Sequence, residues 1–167
     1  EDPRSLRNQR LNALFADTVT ALSKAIQAKD PYTAAHSEHV KRYSCAIAIK
    51  VGLSEKDTYA LGIGALLHDI GKIGVSEQVL KKQERWTENE YREIQCHPEY
   101  GFNIIKDIDE LRDQTILPIV LYHHERLDGN GYPFGLSADE IPQMVRIVSV
   151  CDAFDAMTTS RSYRPAM

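Results

Sequence analysis

Cysteine is scarce in this sequence, with three residues, Cys45, Cys96 and Cys151, among 167. They form no CxxC pair, and their odd number leaves at least one thiol outside any disulfide scheme. This pattern argues against a fold held by disulfides and indicates a reducing compartment. We therefore expect a cytoplasmic protein.

Long apolar runs and an excess of positive charge are also missing. No stretch approaches the ~20 apolar residues that a membrane helix needs, and no basic, apolar and small-residue series indicates a signal peptide. The net charge of -4 provides no general attraction to duplex nucleic acid or to an anionic membrane. We expect neither as a partner of this domain, so any recognition of phosphate must be local.

Alternating apolar and polar residues, the pattern of strands, are rare, whereas helical spacing is common. The segment 1–29 carries apolar residues at three- and four-residue steps, which predicts a leading amphipathic helix that Asp30-Pro31 ends. With 43% hydrophobic residues, the chain has the content of one globular all-α domain over 1–167. Signals for further helices occur over 33–51, after Ser54, at Thr87 with Glu90, and after Pro142.

Asp152 and His68 combine polar chemistry with positions that face the predicted core. Asp152 shares one helical face with aliphatic residues of the last predicted helix, and His68, followed by Asp69, ends a similar apolar stripe earlier in the chain. A buried carboxylate needs a hydrogen bond, an ion pair or a metal ion. Further histidines stand near other helix ends, namely His36, His97, His123 and His124.

These histidines and acids form a candidate ligand set. Imidazole and carboxylate are ligands for zinc, iron, manganese, nickel and cobalt. The residues alone leave a structural interpretation open as well, because scattered histidines are common at surfaces and no HExxH-type spacing is present. His39, one turn after His36, could equally be exposed, and we leave it out of the predicted ligand set.

Four motifs carry a resemblance to a known family: HDIGK from His68, HHE from His123, DGNGYP, and DAFDAMTTSRSYR from Asp152. From about Asp30 to Arg164 the chain resembles the HD-GYP family of cyclic di-GMP phosphodiesterases, within the HD superfamily of metal-dependent phosphohydrolases. The resemblance implies an all-α HD-domain helical bundle around a metal centre, with a DGxGYP loop. It also implies hydrolysis of cyclic di-GMP to linear pGpG, in some members onward to GMP, by attack of a metal-bridging hydroxide.

The resemblance further implies a ligand set for two divalent metal ions. One metal would be held by His36, His68, Asp69 and Asp152, and Asp69 would bridge to a second metal held by His97, His123 and His124. Four protein ligands on each metal, with room for a hydroxide and a substrate oxygen, favour iron or manganese, and nickel, cobalt and zinc are alternatives. His68, Asp69 and Lys72 are the predicted catalytic residues.

Other residues match family positions near the substrate. Lys72, Arg161 and Arg164 are predicted to contact the substrate phosphates. Asp155 either contacts the substrate or orients a ligating histidine. Tyr132, in the GYP loop, either shapes the substrate pocket, presents a surface to a diguanylate cyclase, or belongs to a stable turn.

Two departures from the family bear on the product and on the extent of the chain. Tyr32 stands where members with a third metal carry a glutamate, which predicts a dinuclear centre and accumulation of pGpG. Similar proteins continue past the region of Arg164, so we expect a fragment of a longer multidomain signalling protein that lacks C-terminal helices. The alternatives left open are a catalytically silent module that binds a nucleotide or a partner, and an HD phosphohydrolase acting on another nucleotide. The oligomeric state is also open, with a dimer as one option.

Overall fold

The computed structural model describes residues 3–30 and 35–159. The helices in these ranges are α1 (Pro3–Lys29), α2 (His36–Lys50), α3 (Glu55–Leu67), α4 (Glu77–Leu80), α5 (Glu88–Gln95), α6 (His97–Ile105), α7 (Ile116–Tyr122) and α8 (Gln143–Thr158). Short 3₁₀ segments lie at Ile70–Gly74, Asp109–Leu111 and Ala138–Glu140, and the described residues form no strand. The predicted all-α class is confirmed. Among the described helices, none combines the length and apolar character needed to cross a membrane.

Local sequence signals fix several helix ends. The Ser54 hydroxyl accepts a hydrogen bond from the Asp57 amide at 3.1 Å at the start of α3. Thr87 and Glu90 form both hydrogen bonds of the predicted capping box at the start of α5. Gly52, with φ of +80°, follows α2 in a conformation that glycine adopts without strain. These helix boundaries were therefore predictable from short-range chemistry.

Helix α3 forms the centre of the bundle. Its residues from Ala60 to Leu67 are all buried, as expected for a helix that is apolar on every side. One apolar cluster joins α3 to α1, α6 and α7, and a second joins it to α2, α7 and α8. Because α3 ends at Leu67, His68 and Asp69 follow directly at the end of a buried helix.

Helix α1 joins this core through its second half. Val19 and Ile26 are buried in the cluster shared with α3. Leu11 and Leu14, which were predicted on the same apolar face, are 54% and 63% exposed. The prediction of a core-facing stripe is therefore right only for the second half of α1, because the stripe continues beyond the surface that the other described helices cover.

The end of α1 is attached to the 3₁₀ segment that follows α3. Lys29 Nζ donates hydrogen bonds to the carbonyl oxygens of Ile73 and Val75, the latter at 2.6 Å. The next residue, Asp30, accepts a hydrogen bond from Lys72 Nζ at 3.1 Å. Lys29 thus binds the backbone just after the HDIGK motif, and Asp30 binds the lysine side chain within the motif.

Gly71 allows the HDIGK motif to approach α6 closely. A Cβ at this position would lie 1.8 Å from the His97 carbonyl oxygen and 2.4 Å from the Gly101 amide nitrogen. Both are backbone atoms, so no side-chain rotation could make room. The glycine therefore lets Asp69 lie beside His97 at the start of α6.

Candidate metal centre

Three buried histidines are held in one tautomer by the backbone. His68, His97 and His123 each donate a hydrogen bond from Nδ1 to the carbonyl oxygen three residues earlier, at 2.7, 2.7 and 3.0 Å. A carbonyl oxygen only accepts, so the proton must be on Nδ1. In the neutral ring, Nε2 then carries a lone pair, which is the form in which histidine binds a metal.

The Nε2 atoms of these histidines converge on Asp69. Nε2 of His97 lies 3.1 Å from Nε2 of His123, although two lone pairs cannot form a hydrogen bond with each other. No group in residues 3–30 and 35–159 forms a hydrogen bond with the buried Nε2 of His68, and its contact with Asp69 Oδ2 at 3.4 Å is an ion-pair distance. Asp69 Oδ1 lies 3.4 Å from His97 Nε2. A cation placed among these atoms would satisfy all of them, so the donor set fits a divalent metal ion.

The candidate ligand atoms form two groups that share one carboxylate. In each group, the ligand atoms lie within 4.8 Å of one another. One group is His36, His68 and Asp69, and the other is Asp69, His97, His123 and His124. Asp152 adds a carboxylate oxygen 3.0 Å from Nε2 of His36. The structure thus brings together all seven residues of the predicted ligand set.

Burial sets the charge of the histidines near α6 and α7. It lowers the pKa of His97 and His124 to about 3 and that of His123 well below its ordinary value, because an imidazolium is poorly solvated there. His68 differs. Burial acts to lower its pKa, but the charge and hydrogen bond of Asp69, the charge of Asp152 and the hydrogen bond to Ala65 together raise the pKa to about 9. A metal ion at His68 would compete with that proton.

Asp69 is a buried carboxylate kept ionised by its neighbours. Burial opposes its charge, but Lys72 and then His68 hold its pKa well below the usual range. Lys72 Nζ lies 2.8 Å from Asp69 Oδ2 and 3.1 Å from Asp30 Oδ2. Burial acts to lower the pKa of Lys72, but these two carboxylates raise it above its ordinary value. Lys72 therefore stays a cation beside the candidate ligands.

Asp155 contacts histidines rather than the cleft. Its Oδ2 accepts a hydrogen bond from Nδ1 of His36 at 2.7 Å, and its Oδ1 accepts one from Nδ1 of His39 at 2.9 Å. Asp155 is 1% exposed and does not line the cleft described below. Of the two roles that the sequence left open, this geometry supports orientation of His36, with Nε2 facing Asp152, and gives no support to a substrate contact.

The GYP loop is fixed to the end of α7 by a buried acid. Glu125 of the HHE motif is 5% exposed and accepts hydrogen bonds from the amides of Phe134 and Leu136 at 2.7 and 2.9 Å. This arrangement places the Tyr132 ring over His124, with centroids 4.7 Å apart and planes 25° from parallel. Tyr132 therefore covers one candidate ligand.

A cleft of about 510 Å³ opens beside this centre. Among its lining residues are His36, Asp69, Lys72, His124, Tyr132 and Asp152. Another part of the lining is the segment 82–86 with Tyr91, which no sequence motif singled out. Asp30 also lines the cleft, although the sequence suggested only that it ends α1. Arg161 and Arg164, predicted to bind phosphate, and Tyr32 lie outside the described residues.

Comparisons with known proteins agree with this architecture. Residues 20–167 match the HD domain family. The chain is 44% identical over 149 residues to the 3'3'-cGAMP-specific phosphodiesterase 3 of Vibrio cholerae, covering 89% of this chain and 32% of that protein. It is 37% identical over 150 residues to the cyclic di-GMP phosphodiesterase response regulator RpfG of Xanthomonas campestris, covering 90% of this chain and 40% of that protein. The chain thus spans about a third of the length of these relatives.

A solved structure shares the fold. Bd1817, an HDG"Y"P protein from Bdellovibrio bacteriovorus, aligns with a TM-score of 0.64 and 25% identity, covering 84% of this chain and 50% of that one. The chain belongs to the HD domain family and, within it, is of the HD-GYP type.

Proposed function

We propose that this chain is a metal-dependent phosphodiesterase domain that opens cyclic di-GMP to linear pGpG. The observation that carries the proposal is the shared carboxylate, because Asp69 belongs to both groups of converging ligand atoms. Two metal sites with a common ligand are typical of enzymes that hydrolyse phosphodiesters. The adjoining cleft of about 510 Å³ is within the range of sites that bind small molecules.

The proposed ligands are those predicted from the sequence. The first metal would be held by His36, His68, Asp69 and Asp152, and the second by Asp69, His97, His123 and His124. Four protein ligands on each ion, with room for a hydroxide and a substrate oxygen, favour iron or manganese over closed tetrahedral zinc. When bound, the two ions would lower the pKa of a water molecule and offset the negative charge that grows on the phosphodiester.

The side chains of the domain prepare the cleft for an anionic substrate. Lys72 keeps its proton beside Asp69, so Nζ can donate a hydrogen bond to a non-bridging phosphate oxygen. The backbone bonds of His68 and His97 keep Nε2 directed at the centre without further ordering. Tyr132, stacked on His124, shields that ligand from water.

The relatives support a second substrate of the same class. The named substrate of one relative is 3'3'-cGAMP and that of another is cyclic di-GMP. Both are cyclic dinucleotides with two phosphodiester bonds, and they differ in one purine base. We propose cyclic di-GMP as the preferred substrate, with 3'3'-cGAMP as the second candidate.

Chromatography of reaction mixtures tests the proposal. The chain is loaded with manganese or, anaerobically, with iron, and is incubated with each cyclic dinucleotide separately and then with both in competition. The His68→Ala/Asp69→Ala variant serves as the matched control. Formation of linear product by the unsubstituted chain alone is expected. Binding of metal and nucleotide without any product would instead support a silent receptor module.

A dinuclear centre and accumulation of pGpG are proposed from the sequence at Tyr32. Metal titration of the stripped protein should saturate at two ions per chain, and a time course should show pGpG before any GMP. Saturation at three ions, or GMP without a pGpG phase, would contradict these proposals.

We also propose a partner and a cellular setting. Leu127 and Phe134, in and beside the GYP loop, are 61% and 57% exposed, which supports contact with a diguanylate cyclase through this loop. A binding assay with Leu127→Asp would test that contact. Cys45, Cys96 and Cys151 are all free thiols, which supports a cytoplasmic location.

A further inference from the structure

Two aromatic side chains at the cleft have no role in the metal centre. Trp86 and Tyr91 line the cleft, and each is 44% exposed. Their ring centroids are 6.4 Å apart, and their planes are 23° from parallel. The two rings are stacked, and the nearly half of each side chain that stays exposed forms an aromatic surface at the cleft.

This aromatic surface is held in place by several polar contacts. Trp86 Nε1 donates a hydrogen bond to the Val79 carbonyl oxygen at 3.1 Å. Lys82 Nζ binds both carboxylate oxygens of Glu90, at 2.9 and 2.7 Å, and so ties together the two ends of the segment that carries Trp86. A side chain that is already ordered loses little entropy when a ligand binds.

The cleft therefore presents two different chemistries. Lys72 and the candidate metal ligands suit a phosphodiester, whereas Trp86 and Tyr91 suit a flat, weakly polar group. A nucleotide carries both groups. Stacking of a base on an aromatic side chain is favourable for every base, because each base has a π-face.

We propose that Trp86, supported by Tyr91, is the base-binding wall of the cleft and stacks on one purine of the cyclic dinucleotide while a phosphodiester lies at the Asp69 centre. The inference rests on the function proposed above and names the part of the site that recognises the base. Since guanine and adenine both stack, the wall contributes affinity for cyclic di-GMP and 3'3'-cGAMP alike. Discrimination between them must come from other groups.

Fluorescence tests the contact directly. Trp86 is the one tryptophan in the sequence, so tryptophan emission reports on this wall alone. Rapid mixing of the manganese-loaded chain with cyclic di-GMP or 3'3'-cGAMP should quench the emission before product forms. Inorganic phosphate, which has no base, should leave the emission unchanged. A hydrolysed cyclic dinucleotide that causes no quenching would overturn the proposal.

Steady-state kinetics provides the second test. Trp86→Ala should raise KM for cyclic di-GMP roughly ten- to hundredfold, with a smaller change in kcat. Trp86→Phe keeps an aromatic face but loses the bond to Val79, and it should recover most of the affinity. The matched control is Tyr59→Ala, which removes a 56% exposed aromatic outside this cleft and should leave KM unchanged. Equal losses in the Ala and Phe variants would mean that the indole acts through its hydrogen bond, and the proposal would be wrong.

The proposed function and the base-binding wall fail in distinguishable ways. Quenching of the unsubstituted chain without hydrolysis supports the base-binding wall and removes the phosphodiesterase proposal. Hydrolysis by the unsubstituted chain, together with an unchanged KM in Trp86→Ala, supports the phosphodiesterase proposal and removes the base-binding wall.

Discussion

Removal of the Asp155 carboxylate tests how the first metal site is organised. In Asp155→Ala, the Nδ1–H of His36 loses its acceptor at 2.7 Å in a buried position, which costs about 1–3 kcal/mol. The His36 ring also becomes free to turn away from Asp152. Loss of such an orienting carboxylate typically weakens metal binding roughly 10- to 100-fold, or about 1.4–2.7 kcal/mol. We expect the first metal to be affected and the second to be retained.

Asp155→Asn should give a smaller effect. The amide has one oxygen, which can keep the bond to His36, while its nitrogen then faces Nδ1 of His39. His39 has a side chain that is 34% exposed, so it can turn to water. We expect a loss of less than about tenfold in affinity for the first metal, between the parent chain and Asp155→Ala.

The assay is a titration of manganese into stripped protein against a competing chelator, fitted to two dissociation constants. His39→Ala is the matched control, because it removes the second histidine that contacts Asp155 and leaves the bond to His36 in place. Urea denaturation of each stripped variant checks the fold. The reasoning is refuted if Asp155→Ala binds both ions within about twofold of the parent. A raised KM with unchanged metal affinity would instead support the substrate contact that the sequence left open.

Three further substitutions have outcomes that follow from the geometry. Glu125→Ala removes the charged acceptor of two part-buried backbone amides, those of Phe134 and Leu136, and should lower the free energy of unfolding by about 2–5 kcal/mol in urea denaturation. A loss under about 1 kcal/mol would contradict this. Gly71→Ala forces a Cβ into the backbone of α6. The free energy of unfolding should therefore fall by more than the ~1–3 kcal/mol usual for overpacking. An unchanged urea midpoint would show that the HDIGK motif can move away from α6 and make room. Lys72→Met should lower kcat/KM for cyclic di-GMP about 100-fold, as expected for removal of a group that stabilises developing charge; steady-state kinetics showing a change below about threefold would exclude the phosphate contact.

The sequence predicted features that depend on neighbouring residues. The capping box of Thr87 and Glu90 is complete within one helical turn, and His68 follows an apolar stripe whose burial is visible from its spacing. Motif resemblance added the ligand set, whose members the fold does bring together. Such features need no knowledge of how the helices pack.

Contacts between distant residues were not predictable in the same way. Lys72 and Asp30 are 42 positions apart, and His36 and Asp155 are 119 apart. Their pairing depends on where α1 and α8 lie against α2 and α3, which no local pattern records. Trp86 lies in a short connection without a helical or strand pattern, so the sequence could not predict that it lines the cleft.

The attachment of α1 to the HDIGK motif has a mechanical consequence. The 27 residues of α1 span about 40 Å at 1.5 Å per residue. Its last residue, Lys29, donates hydrogen bonds to the backbone that follows the motif. Asp30 forms an ion pair with Lys72, which forms another with Asp69. Because a helix is stiff along its axis, a rotation or a shift along the axis at the exposed end of α1 would be transmitted to the contacts of Lys29 and Asp30. A twist or displacement of the first helix at its far end would therefore act on Lys72 through Asp30.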